Sequence, residues 1–238
     1  MPEIRRVVVT GAAGSIGRAV RAQLRTRWDL CETDKVAAEG VEHLDVTDLD
    51  ACRRAFTGAD AVVHLAAVPD PNASWEQLLP ANVIGAYTVA RAAIDARVQR
   101  LVLASSLQAV SGGPEGTQRR ATDQARPANL YGASKAWAEA LGSWVAETSA
   151  TSVVVLRIGY FPPERPHRET TPPTDLSAWL SARDAAELLR AAVDADGVRY
   201  VVANGTSANR HRIADLHDTR TLLGYRPVDD AWDGDRRS

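Results

Sequence analysis

The stretch RRVVVTGAAGSIGRAV, Arg5–Val20, decides the fold. Its first half is a β-branched run ended by Gly11, the pattern of a strand buried in a parallel sheet. Its second half has helical periodicity from about Ser15. Between them Gly11, Gly14 and Gly17 stand in GxxGxxG spacing. The first glycine permits a tight turn off the strand. The second lets the backbone approach a pyrophosphate, and the third lets the helix pack closely on the sheet. The start of the helix offers free N–H groups and partial positive charge to phosphates. Ala13, Ser15 and Ile16, with the three glycines, are therefore candidate cofactor contacts. A glycine-rich turn without a ligand has the same spacing, so the rest of the chain must supply the context.

The context is an acid. A carboxylate about twenty residues beyond such glycines, at the end of the second strand, binds the adenosine ribose. Asp34 stands twenty residues past Gly14, and Glu32 competes from two residues earlier. A carboxylate accepts a hydrogen bond from a 2′-hydroxyl and repels a 2′-phosphate, which favours NAD over NADP. Lys35 and Arg18 are nearby cations that weaken that preference. In LDVTD, Asp45 and Val46 stand where an adenine could rest.

Further apolar runs alternate with helical segments. Strands are expected at 28–33, 41–46, 59–67, 99–106, 151–159 and 197–204, in addition to 5–10. Helices are expected at 15–27, 48–56 with Asp48 or Asp50 as N-cap, 75–96, 131–147, 182–195 and 213–224. Pro80 should kink or divide the third of these. Residues 111–129 and 160–175 read as long loops, and loops of that length are functional or disordered. The alternation predicts an α/β fold, a doubly wound parallel sheet of about seven strands with right-handed crossovers. The 238 residues suit one domain, 1–238.

Composition excludes several classes. A net charge of −2 leaves no basic footprint for nucleic acid. No apolar run approaches a membrane span, and RRVVVTGAAG is not a signal peptide. Cys31 and Cys52 lack CxxC spacing, and the five histidines form no HExxH cluster, so no metal site is expected. Two reduced thiols suit a cytoplasmic protein.

The stretch LYGASK places Tyr131 and Lys135 four apart at the start of a helix, on one face. An ammonium beside a phenol stabilises the phenolate, so such a tyrosine can take a proton from an alcohol while hydride leaves the carbon. A tyrosine beside a surface lysine is the bland alternative. Here the pair follows a dinucleotide loop.

In that order, TGAAGSIG, HLAA, SS, YGASK and RIG resemble the extended short-chain dehydrogenase/reductases of the epimerase/dehydratase type, and the likeness runs end to end. Within them, PANVIGAY, NLYGASK, VVVLRIG and LSAWLSARDAAEL are most similar to NAD-dependent uronate dehydrogenases and related aldose dehydrogenases. The resemblance implies a Rossmann-type fold in which residues 160–181 and 205–238 form a small substrate-binding part. It implies a catalytic serine about 25 residues before the tyrosine, which selects Ser106 over Ser105. Ser106 would hold the reacting oxygen, Tyr131 would move the proton, and Lys135 would tune Tyr131 and hold the nicotinamide ribose. Leu65, Ala66, Ala67 and Asn82 would line the cofactor channel, with Ile158 and Gly159 by the nicotinamide. It also implies a homodimer through the helix from Tyr131 and the one near 82–96. Trp137, Leu141 and Trp144 form an apolar stripe there that could equally be core.

The likeness breaks beside the reacting carbon. The resembled enzymes follow the serine with asparagine and histidine, whereas this chain has Leu107 and Gln108. Either the substrate or its pose differs, or Leu107 turns into the core and Gln108 binds alone. Pro69 replaces a substrate-binding serine, leaving Asp70, Asn72 or Ser74 to reach a hydroxyl, although Ser74 also suits a helix N-cap. Thr174 and Asp175 stand where an arginine would grip a uronate carboxylate. Arg165 or Arg168 could substitute, with His167 between them. The expected substrate-binding set is thus Asp70, Ser106, Leu107, Gln108, Tyr131 and Arg168. The leading expectation is hydride transfer from a sugar or sugar-acid carbinol to NAD. An epimerase, dehydratase or ketoreductase would use the same Ser-Tyr-Lys set. A non-catalytic dinucleotide sensor is the alternative of another class.

Overall fold

The computed structural model describes residues 3–114 and 116–233. Its seven strands are β1 (Arg6–Thr10), β2 (Asp29–Asp34), β3 (Glu42–His43), β4 (Ala61–His64), β5 (Arg100–Ser106), β6 (Ser152–Ile158) and β7 (Tyr200–Gly205). They form one sheet in the order β3-β2-β1-β4-β5-β6-β7, every pair parallel. The helices are α1 (Ser15–Leu24), α2 (Leu49–Phe56), α3 (Trp75–Leu78), α4 (Ala86–Asp95), α5 (Leu130–Thr148), α6 (Pro173–Ala178), α7 (Ala182–Asp194) and α8 (His217–Leu223).

Alternation along each strand feeds two cores, one on each face. Val7 and Val9 of β1 pack with Val20 and Leu24 of α1 and with Leu188 and Leu189 of α7. Val8, between them, packs on the other face with Phe56 of α2, Val89 and Ala93 of α4, and Val145 of α5. This is the expected doubly wound sandwich, and strand order reverses between β1 and β4. Ligands of such sheets bind in the crevice at the carboxyl ends of the strands at that reversal. The glycine loop, residues 65–67 and Ser106 all leave the sheet at those ends.

The expected 75–96 helix is divided. Leu79–Gly85 is a π-helical turn between α3 and α4, with Pro80 near its start. Proline lacks the N–H that an α-turn would use there, and π-turns concentrate at functional sites. The third strand shrinks to two residues at the sheet edge. Two short elements were not expected. Leu107–Val110 forms a 3-10 turn capped by Ser106. Helix α6 occupies the end of the proline-rich loop, with Pro173 at its first position, where proline's fixed φ and missing N–H suit a helix start.

Helix α6 and the residue after it pack against the tail. Leu176, Trp179 and Ala231 share a small core with Trp232. Asp184 accepts hydrogen bonds from the N–H groups of Val228 and Asp229, both at 2.9 Å. Residues 234–238 of the expected substrate-binding part lie outside the described residues. Among the described residues no helix is long and apolar enough to cross a membrane.

Candidate active site

The glycine loop is built to be empty of side chains. Gly11 has φ +75°, and a Cβ there would collide with the backbone of Ala66. A Cβ on Gly17 would lie 2.5 Å from the Ala12 carbonyl oxygen, so only glycine lets α1 come this close. Gly14 precedes α1 in extended conformation, and no side chain caps the helix. The N–H groups of its first turn, at Ser15, Ile16 and Gly17, have no intrahelical acceptor. This cradle suits a pyrophosphate.

The two candidate acids are placed differently. Asp34 ends β2, and its carboxylate accepts the Ala13 N–H and the Val36 N–H, both at 2.9 Å. It therefore sits at the loop with lone pairs to spare. Glu32 does not reach the loop. It is buried and ion-paired with Arg21 of α1 at 3.3 Å and with Arg25, the C-cap of α1, at 2.5 Å. Lys35 pairs with Asp45 at 2.9 Å. The Asp45 carboxyl is held down to about 2 by that lysine and by hydrogen bonds from Thr47. Val46, beside it, is buried. Leu65, Ala66 and Ala67 follow β4 half-buried.

Ser106 ends β5, and its hydroxyl accepts the Gln108 N–H at 3.2 Å. Tyr131 stands in the first turn of α5, nearly buried. Burial pushes its hydroxyl pKa up, and a hydrogen bond with Ser106 opposes that. The Lys135 ammonium lies 5.6 Å from the centre of the Tyr131 ring. It donates to the Ala104 carbonyl at 2.9 Å, and burial pulls it down to about 8. Ile158, buried at the end of β6, is the register partner of Ser106. Serine, tyrosine and lysine thus meet at one strand end.

Asn82 sits in the π-turn and needed partners, being polar in an apolar setting. It accepts the Val68 N–H at 2.8 Å and donates to the Val68 carbonyl at 3.1 Å and to the Ser134 hydroxyl at 3.0 Å. It therefore joins the segment after β4 to the helix turn between Tyr131 and Lys135. His64 was no candidate, yet it is buried with its Nδ1 2.8 Å from the Thr10 hydroxyl. Desolvation pulls its pKa down to about 3, so it is neutral.

The substrate candidates are not gathered as well. Leu107 and Gln108 are half-buried in the 3-10 turn. The Gln108 amide oxygen accepts from Asn129 at 2.9 Å, and Asn129 also caps α5. Asp70 is exposed, and one oxygen accepts the Asn72 N–H at 2.8 Å. Ser74 is the α3 N-cap in a capping box with Gln77. Arg165 is engaged elsewhere, donating to the Asp230 and Asp233 carbonyls at 2.6 Å and lying over Trp179. Arg168 is exposed. A cavity of about 610 Å³ lies over the 111–129 loop, lined in part by Val110, Arg119, Arg120, Asp123 and Arg126. Val110 ends the 3-10 turn that Ser106 caps; Ser106, Tyr131 and Lys135 do not line that cavity.

The chain is similar to known proteins. It is 36% identical to an L-arabinose 1-dehydrogenase (NAD(P)(+)) of Haloferax volcanii over 95% of this chain and 97% of that one. It is 33% identical to an NAD-dependent glucose-6-phosphate dehydrogenase of Haloferax volcanii, over 94% of each. Among solved structures it superposes on a mutant uronate dehydrogenase of Agrobacterium tumefaciens complexed with NAD. That match has a TM-score of 0.84 and 30% identity, covering 96% of this chain and 86% of that one. The model of the NAD dependent epimerase/dehydratase family matches residues 7–186, which take in the glycine cradle, the Ser-Tyr-Lys cluster and six of the seven strands, so the chain is a member of that family.

Proposed function

We propose that the protein is an NAD-dependent dehydrogenase that oxidises a sugar at its anomeric carbon. The observation that carries this is the meeting of Ser106, Tyr131 and Lys135 at the carboxyl end of β5. The cradle fits a dinucleotide: Gly11, Gly14 and Gly17 leave room, α1 presents free N–H groups, and Asp34 stands beside them. Gly11, Ala13, Gly14, Ser15, Ile16 and Gly17 would hold the pyrophosphate and Asp34 the adenosine ribose. Asp45, Val46, Leu65, Ala66, Ala67, Asn82 and Ile158 would border the rest.

When bound, NAD supplies the hydride acceptor. Ser106 donates a hydrogen bond to the reacting oxygen and orients it. Tyr131, as phenolate, takes the hydroxyl proton while the hydride leaves the adjacent carbon, which turns a cyclic hemiacetal into a lactone. Protonated Lys135 favours that phenolate electrostatically. The buried surroundings of Tyr131 exclude water and strengthen each of these interactions.

A neutral aldose is the favoured substrate. Thr174 and Asp175 are on α6, Arg165 is bound to the tail, and burial raises the Asp175 pKa. None of these offers a bidentate grip on a carboxylate. Residues 160–181 and the tail from 205 would close over the sugar. Exposed Ile84, Tyr87, Leu130 and Trp137, on and beside α4 and α5, support a homodimer, and the free thiols suit the cytoplasm. The test is a panel of aldoses, uronates and a sugar phosphate with NAD and separately NADP, following reduced-nicotinamide absorbance. Reduction of NAD by a neutral aldose is expected. Cofactor binding without reduction by any sugar overturns the proposal, and sugar interconversion without net reduction identifies an epimerase.

A further inference from the structure

The mechanism above leaves a buried carboxylate unused. Glu139 stands on α5 at the same face as Tyr131 and Lys135, one turn further on. Its Oε1 accepts the Ser105 hydroxyl at 2.7 Å and the Arg157 Nε–H at 2.8 Å, and its Oε2 accepts Arg157 Nη2 at 2.8 Å. Ser105 and Arg157 are register partners across β5 and β6. Arg157 is 2% exposed. Its remaining N–H groups all go to one loop: Nη1 to the carbonyls of Arg120 and Ala121 at 3.3 Å, and Nη2 to that of Asp123 at 3.0 Å. All five guanidinium donors are thereby used.

We propose that Arg157, Glu139 and Ser105 form a positioning brace for the active site. The brace ties together, at the catalytic end, four segments: the paired strands β5 and β6, the helix α5 packed on them, and the loop at 120–123. Ser105 adjoins Ser106, Glu139 is carried by the helix of Tyr131 and Lys135, Arg157 adjoins Ile158, and the clamped loop lines the cavity beyond Val110. Fixing Ser105 to α5 sets the separation between Ser106 and Tyr131. Clamping residues 120–123 sets the wall against which the substrate's far end rests, so this second role rests on the sugar dehydrogenase proposed above. Lysine at 157 would carry the charge with three donors on one atom and could not span the carboxylate and three carbonyls.

Two variants separate bracing from mere stability. Ser105→Ala is nearly isosteric and should fold, with a melting temperature a few degrees lower because the buried hydrogen bond to Glu139 is lost. It should lower kcat about tenfold with sugar KM and NAD affinity retained, since small misplacements of reacting groups are costly. Arg157→Lys should raise sugar KM about tenfold and keep NAD affinity. In the native protein it should also speed trypsin cleavage after Arg119, Arg120 or Arg126, measured with NAD alone. If Ser105→Ala keeps wild-type kcat, or Arg157→Lys folds and leaves loop cleavage unchanged, the brace is wrong. Should Arg157→Lys fail to fold, Ser105→Ala decides. Should the wild type turn over no sugar, the proposed function falls while loop protection still decides the brace.

Discussion

Replacing Lys135 with methionine should abolish turnover and change how the ligand-free protein's stability depends on pH. The buried ammonium donates to the Ala104 carbonyl at 2.9 Å, and burial moves it from 10.5 to about 8. That lowering corresponds to roughly 3 kcal/mol of penalty on the charged form. The sign follows from proton counting. Below pH 8 both folded and unfolded chains hold the proton, and the full penalty applies. Between pH 8 and 10.5 the unfolded chain holds a proton that the folded one has lost, so stability rises with pH. Above that window the penalty is gone. The hydrogen bond to Ala104 returns about 1.5–3 kcal/mol, so methionine should gain about 1 kcal/mol at pH 7. That advantage should shrink by roughly 2–3 kcal/mol between pH 7 and pH 10, and reverse. The assay is urea unfolding of both proteins without NAD at four pH values across that range, with turnover measured separately. Activity should fall by at least about a hundredfold. A stability difference that stays flat with pH would refute the reasoning, because the ammonium would then carry no burial penalty.

Three further outcomes are expected. His64, lowered from 6.5 to about 3 by burial, should make the ligand-free protein lose stability as pH falls through that window, since only the unfolded chain takes up the proton. His64→Asn should flatten that limb in pH-resolved melts. Asp34→Ala should weaken NAD binding about tenfold or more and narrow its preference over NADP; binding isotherms showing unchanged discrimination would remove Asp34 from the ribose. Asn82→Ala leaves the Val68 N–H and carbonyl without their partners, and should cost about 2–4 kcal/mol in urea unfolding.

The parts of the site legible in the sequence are those made by neighbours in the chain. Gly11, Gly14 and Gly17 announce the cradle because a turn and a helix start are local events. Most of the strands were readable because they are short apolar runs closed by punctuation, whereas β3 keeps only Glu42–His43 at the sheet edge. Even the different placement of Asp34 and Glu32 was latent there. Arg21 and Arg25 stand four apart, on α1 and at its C-cap, and they claim the acid that lies under the helix and leave the one that ends the strand. What was not legible depends on distant registers. Ser105 meets Arg157 only because β5 and β6 pair at that offset, although a lone arginine in VVVLRIG and a glutamate four past Lys135 were signals. Arg165 is held by carbonyls 65 and 68 residues away, and no local pattern announces that. This division separates cofactor from substrate. Nucleotide recognition uses backbone N–H groups and one acid, which a turn can supply by itself. Sugar recognition needs side chains from several loops at once, each placed by partners tens of residues away, as Asn129 holds Gln108, an expected substrate contact. In the proposed function Leu107, which adjoins Ser106 and offers no hydrogen bond, would remove one of those side chains. Specificity therefore shifts to the loops that Arg157 and the tail hold in place, and changing those holds should alter the sugar taken before it alters the hydride chemistry.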